Sequence, residues 1–236
     1  TPLSMTDVEG GVDLETEADV EFRDLKSELD MVSFGGGLRG QGNAGGVRVN
    51  TDGATVILEG IQGAVHVEGR DLRVQLRDMR NEVRVVTGMS DVLVEHSAAA
   101  VHVENDFGDI VLNDAAGPVT VRSRDGTVRI QDLKGALDLT ADGPEVQVSW
   151  SQIPADQNSS LKNEQGNVSV GLPAKGRCRV EAVARFGGVD SDLAAVRVSD
   201  DGKCANGLLG GVDKPVISID SGGAVYIGPS SGPAGQ

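Results

Sequence analysis

The sequence predicts an all-β fold, a β-solenoid with about 18 residues per coil, two short parallel strands in each coil, and longer irregular coils towards the C-terminal end. Three observations carry that expectation. Apolar couplets separated by one residue start at Val47, Val56, Val65, Val74, Val83, Val92, Val101, Ile110, Val119, Val128, Leu137 and Val146, with no insertion between them. The turns alternate at twice that interval. Ile61, Met79, Ala115 and Leu133 are each followed two residues later by Gly63, Asn81, Gly117 or Gly135, whereas intervening turns favour Asp-Gly, as at Asp52-Gly53 and Asp125-Gly126. Finally, aromatic residues make up 3% of the chain while there are 33 glycines, a composition suited to a thin core filled by Val, Leu and Ile.

Side chains alternate along a strand, so the outer residues of a couplet share one face and the middle residue points the other way. Stacked coils place each couplet above its equivalent, and the inner rows of two parallel sheets interdigitate across roughly 10 Å. That gap excludes a tryptophan, and Gly and Asn at the corners supply the positive φ that tight turns require. An antiparallel meander also gives strands every 8 to 12 residues or so. A meander tolerates drift in loop length; an unbroken run of couplets favours stacking, where one extra residue throws a couplet out of register.

Taken in order, residues 1–46 are expected to form N-terminal strands and a glycine-rich loop that caps the array. Val12, Leu14, Val20 and Phe22 read as two strands. The stretch from Leu25 to Val32 fits a helical turn by its Leu25–Leu29 spacing or a strand by Leu29 and Met31; Val20, Leu29 and Leu38 extend the nine-residue register backwards and favour the strand. Gly35, Gly37 and Gly40 match the G-x-G-x-x-G dinucleotide pattern, but no helix pattern follows, so a glycine-rich loop is the reading. Residues 47–150 form the regular array, residues 151–228 irregular coils and a C-terminal cap after the Pro154 loop, and residues 229–236 a flexible tail.

A net charge of −15 disfavours nucleic acid and anionic lipid as partners. No run of 18 apolar residues or so signals a membrane span in this chain, and a start at Thr1 fits a processed or truncated product. Cys178 and Cys204 sit in polar, turn-like surroundings, and a disulfide between them in an oxidising compartment is expected, with two free surface thiols as the alternative.

In a solenoid, chemistry sits on the outward ladders. One ladder runs through Arg48, His66, Arg84 and His102 and reads as a polar ligand column for an anionic glycan or partner, or as ordinary solvated positions. His66 and His102 lie two coils apart, roughly 9 to 10 Å, too far to share one metal ion, so no metal or other cofactor is expected. On the other sheet Ile57, Leu93 and Val111 form a broken apolar strip, covered by the N-terminal segment or used as a lateral interface. The turn acids Asp52, Asp71, Asp106, Asp109, Asp125 and Asp142 lack the glycine-rich unit of calcium-binding nonapeptide rolls. No pair of them is singled out for acid–base hydrolysis, and the chain is expected not to be an enzyme.

The stretch "SSLKNEQGNVSVGLPAKGRCRVEAVARFGGVDSDL", with Gly166 and the Gly171–Pro173 turn, resembles the adhesin-like β-solenoid domains of bacterial envelope proteins, and "ISIDSGGAVYI" is similar to their closing coil. The resemblance spans roughly residues 45 to 228. It implies a non-enzymatic, exported structural or adhesive module in the periplasm, on the outer surface or outside the cell, whose partner is a protein or glycan at the cell surface. Two other readings stand beside it: a self-associating subunit of an extracellular filament, and the sensory ectodomain of a membrane-anchored envelope-stress regulator.

Overall fold

The computed structural model describes residues 2–230. The protein is an all-β solenoid of parallel stacked coils of about 18 residues, with no helix among the described residues. It divides into a first unit ending at Val111 and a second beginning at Leu112. The tail expected to be flexible lies, from residue 231 on, outside the described residues.

The first unit contains β1 (Leu3–Thr6), β2 (Val12–Thr16), β3 (Val20–Arg23), β4 (Leu29–Phe34), β5 (Leu38–Asn43), β6 (Val47–Asp52), β7 (Thr55–Ile61), β8 (Val65–Arg70), β9 (Arg73–Met79), β10 (Val83–Gly88), β11 (Asp91–Ser97) and β12 (Val101–Asn105). Odd strands follow one another in one sheet and even strands in the other. Val47 pairs with Val65, Val65 with Val83 and Val83 with Val101, each offset by one lap of the chain. The backward extrapolation also holds, since Val20 pairs with Leu38 and Leu29 with Val47. The first lap is one residue shorter, pairing Leu3 with Val20 and Val12 with Leu29.

Nine is an odd number, and strict alternation would turn every second strand inside out. At the corner after each odd strand from β3 to β11 the chain corrects this with one left-handed residue: Asp24, Gly42, Gly60, Asp78 and His96 all have φ between 54° and 67°. The next residue in each case, Leu25, Asn43, Ile61, Met79 or Ser97, then points inward and is buried. The step from Leu58 to Ile61 is therefore three residues where alternation gives two, a bulge in function. Asp, Gly and His tolerate this backbone; a β-branched residue does not.

The glycine-rich loop expected between residues 35 and 46 is instead largely strand β5. Gly40 lies in an inner row between Phe22 and Leu58. A Cβ there would stand 1.9 Å from the Phe22 ring, so the ring fills the space that the glycine vacates. The glycine is a packing partner for an aromatic residue too large for one rung.

β13 (Ile110–Ala115) straddles the boundary between the units. The second unit continues with β14 (Val119–Ser123), β15 (Val128–Leu133), β16 (Leu137–Ala141), β17 (Glu145–Trp150), β18 (Ser159–Asn163), β19 (Asn167–Leu172), β20 (Cys178–Ala184), β21 (Val189–Ser191), β22 (Val196–Val198), β23 (Cys204–Leu209), β24 (Val216–Ser221) and β25 (Val225–Pro229). The exclusion of tryptophan applies to the gap between sheets, and Trp150 escapes it at a corner. It pairs with Leu133, is fully buried, and donates its indole N–H to the Gly135 carbonyl at 3.2 Å.

The last coil is out of chain order. β24 lies between β18 and β20, and β25 between β19 and β21, so the final strands insert between two earlier coils. β23 then pairs antiparallel to β20, and β22 to β23, closing that sheet. Arg185 clamps the inserted rung. Its guanidinium donates from Nε and Nη2 to Asp220 at 2.9 and 2.8 Å, and from Nη1 to Glu164 at 2.7 Å. Lys162 and Arg185 hold the Glu164 carboxyl below the usual carboxylate range, and its partners push the Arg185 guanidinium up.

Two outcomes follow from this packing. Gly40→Leu destabilises the chain by at least about 1–3 kcal/mol in urea unfolding, and Phe22→Ala in the same chain recovers part of that loss. Arg185→Gln speeds hydrogen exchange across residues 216–229 at neutral pH. Because the Glu164 pKa is depressed on folding, its stabilisation is present above its ordinary value and lost as pH falls through the depressed one, so wild type and variant converge in acid.

Candidate functional site

The outward column predicted from sequence is assembled as expected: Arg48 pairs with His66, His66 with Arg84 and Arg84 with His102. Each of the four also has an acidic neighbour. Arg48 lies 3.4 Å from Asp30, His66 3.6 Å from Glu68, Arg84 3.7 Å from Glu104 and His102 2.6 Å from Glu104. Carboxylates that compete for the same donors weaken the column as a receiver of anions. These pairs are exposed or half-exposed and add little to stability.

The second column places Ile57 beside Arg39 and Gln75, and Leu93 beside Gln75, so polar residues interrupt the strip. Ile57, Leu93 and Val111 are each half-buried. The N-terminal segment does not lie across them, contrary to the first of the two readings; β3 and β5 extend the same sheet, because their apolar residues complete its inner rows.

The expected disulfide is absent. Cys178 and Cys204 are both free, the first buried and the second exposed. Each opens its strand, and in the antiparallel pair Cys178 faces Leu209 while Cys204 faces Val183, which sets the cysteines at opposite ends of the pair. At ~3.4 Å per residue the separation is roughly 17 Å, far beyond the reach of an S–S bond. Burial pushes the Cys178 thiol up to about 11.

A feature that sequence reasoning missed is the corner of the first unit between the even strands and the odd strands that follow them. Met89 and Phe107 are 59% and 46% exposed there, beside an open concavity of about 520 Å³ that also includes Thr55, Asp71, Arg73 and Asp91. The corner beneath them is fixed by buried polar groups. Thr87 donates to Asn105 Oδ1 at 3.0 Å, Asn105 Nδ2 donates to the carbonyls of Ser90 at 2.7 Å and Gly108 at 3.2 Å, and Ser90 Oγ accepts from the Leu72 amide at 2.9 Å. Met89 itself is left-handed, with φ 56°. Thr55, Arg73 and Asp91 form one column at the strand starts, so the concavity has an ordered polar side.

Such a surface offers apolar contact beside fixed donors and acceptors, which suits recognition of a ligand with both apolar faces and hydroxyl groups. The available signal was that Met89 and Phe107 are large apolar residues outside the couplets, at positions where turns elsewhere use Gly or Asp. Phe34, 67% exposed, breaks the same rule after β4. Thiol labelling tests the cysteine assignment: native protein reacts with one equivalent of reagent at Cys204, Cys178 reacts only after unfolding, and non-reducing electrophoresis shows no cross-link.

Comparison with known proteins finds no matching protein-family model, no matching curated protein and no matching solved structure.

Proposed function

We propose that the chain is a non-enzymatic structural and adhesive module, exported to the bacterial envelope, that holds a neutral glycan at the Met89–Phe107 corner. The observation that carries this reading is the pairing of two exposed apolar side chains with a corner frame of buried, hydrogen-bonded Thr87, Ser90 and Asn105. Exposed aromatic surface on a rigid frame is a common basis of binding, because little ordering entropy is lost when the ligand arrives. Asp71 and Asp91 beside Arg73 provide acceptors and donors for hydroxyl groups, while the net charge of −15 turns away polyanions. The resemblance of residues 159–193 and 217–227 to adhesin-like envelope domains supports export and a role at the cell surface.

A glycan array followed by calorimetry tests the reading. The wild-type chain binds a neutral glycan, and Phe107→Ser and Met89→Ser each weaken it about tenfold, a loss of ~1.4 kcal/mol. No glycan above background, or variants that bind as well as wild type, overturns it.

A further inference from the structure

Among the described residues the first coil is left uncovered on its outer edge, whereas the terminal coil of the second unit is sealed. In β2 the inner residues Val12, Leu14 and Thr16 are half-exposed, yet their neighbours one rung along, Leu29, Met31 and Ser33, are buried. In β1, Leu3 is 42% exposed while its neighbour Val20 is buried. Among the described residues no strand pairs with the outer edge of β1 or β2. In the second unit the outermost strands β21 and β22 are three residues each, and their inward residues Val189 and Val196 are buried, as are Ala205 and Leu209 of the closing hairpin. Short edge strands of that kind resist pairing; β2, with five residues in strict alternation, does not.

Charge selects the occupant. Residues 1–30 carry ten Asp or Glu against Arg23 and Lys26, and Lys26 is already paired with Asp7 and Glu9. The outward residues of β2 are Asp13 and Glu15, both exposed, with Glu9 and Glu17 flanking the strand. Asp13 pairs with Asp30, and Asp30 reaches Arg48 on the following rung at 3.4 Å, so the column already alternates towards a cation on one side and lacks one on the other. A second copy docked first coil to first coil would set two such acidic ends against each other.

We propose that the free edge of β2 accepts a basic strand from a partner polypeptide. The strand continues the sheet by main-chain hydrogen bonds, its apolar residues extend the inner row of Val12 and Leu14, and Lys or Arg between them lies beside Asp13 and Glu15. The site is independent of the Met89–Phe107 corner, so loss of glycan binding leaves it intact.

The test uses fluorescence anisotropy of three labelled heptapeptides against the full chain: alternating Val and Lys, alternating Val and Glu, and the Val/Lys peptide with alternate backbone nitrogens methylated. The Val/Lys peptide binds, about tenfold more weakly as salt rises from 50 to about 500 mM, and the other two bind at least about tenfold more weakly than it does. Asp13→Lys with Glu15→Lys, exposed positions that leave the fold unchanged by circular dichroism, transfers the preference to the Val/Glu peptide. Equal binding of the methylated and unmethylated Val/Lys peptides shows charge attraction without strand pairing and overturns the proposal. So does the absence of binding, or concentration-dependent dimerisation of the wild-type chain that the Val/Lys peptide fails to dissociate.

Discussion

An odd repeat in a chain of even periodicity is the constraint on which the structure depends. Nine residues per half-lap would send the apolar rows outward on every second strand unless one residue per corner changed the parity. A left-handed residue stands at the corners after odd strands, at Asp24, Gly42, Gly60, Asp78 and His96 in the first unit and at Asp114 and Asp132 in the second, and Gly53, Asp71 and Met89 are left-handed at the opposite corners of the first unit. The inner rows of Val, Leu and Ile remain continuous only because these residues accept a backbone conformation that most side chains avoid. Core burial and turn chemistry are therefore a single requirement.

The couplets made the fold legible because apolar alternation and constant spacing are both visible in a single sequence, and they even located β3 and β4 ahead of the regular array. The corner rule was legible in principle, since Asp, Gly and His recur at one position per lap. Other features depended on packing between rungs. Gly40 reads as loop until the Phe22 ring is seen to fill its place, and Trp150 reads as excluded until a corner provides room. The insertion of β24 and β25 between earlier coils leaves no trace in hydrophobic periodicity, because an inserted rung carries the same couplets as a terminal one.

Site residues divide in the same way. The column of Arg48, His66, Arg84 and His102 was readable from spacing, but the neighbouring Asp30, Glu68 and Glu104 that occupy its donors were not weighed with it. Spacing places the four basic residues, whereas their availability depends on Asp30, one rung earlier in the same column, and on Glu68 and Glu104 in the outward column two residues along the strand. The disulfide expectation failed for a geometric reason, since an antiparallel pair places the first residues of its two strands at opposite ends. Met89 and Phe107 lie in turns, outside the apolar couplets that periodicity reveals, and turns carry much of the binding capacity of a repeat fold.

The route of the last coil has a mechanical consequence. The chain leaves the second unit from β25, a rung bonded to β19 on one edge and to β21 on the other, with β24 beside it held by Arg185. Tension on residues beyond Pro229 is thus applied to a strand gripped from both sides, and it must slide that strand along its neighbours, loading many bonds together. Had the terminal strand been outermost, the same pull would have stripped it away bond by bond.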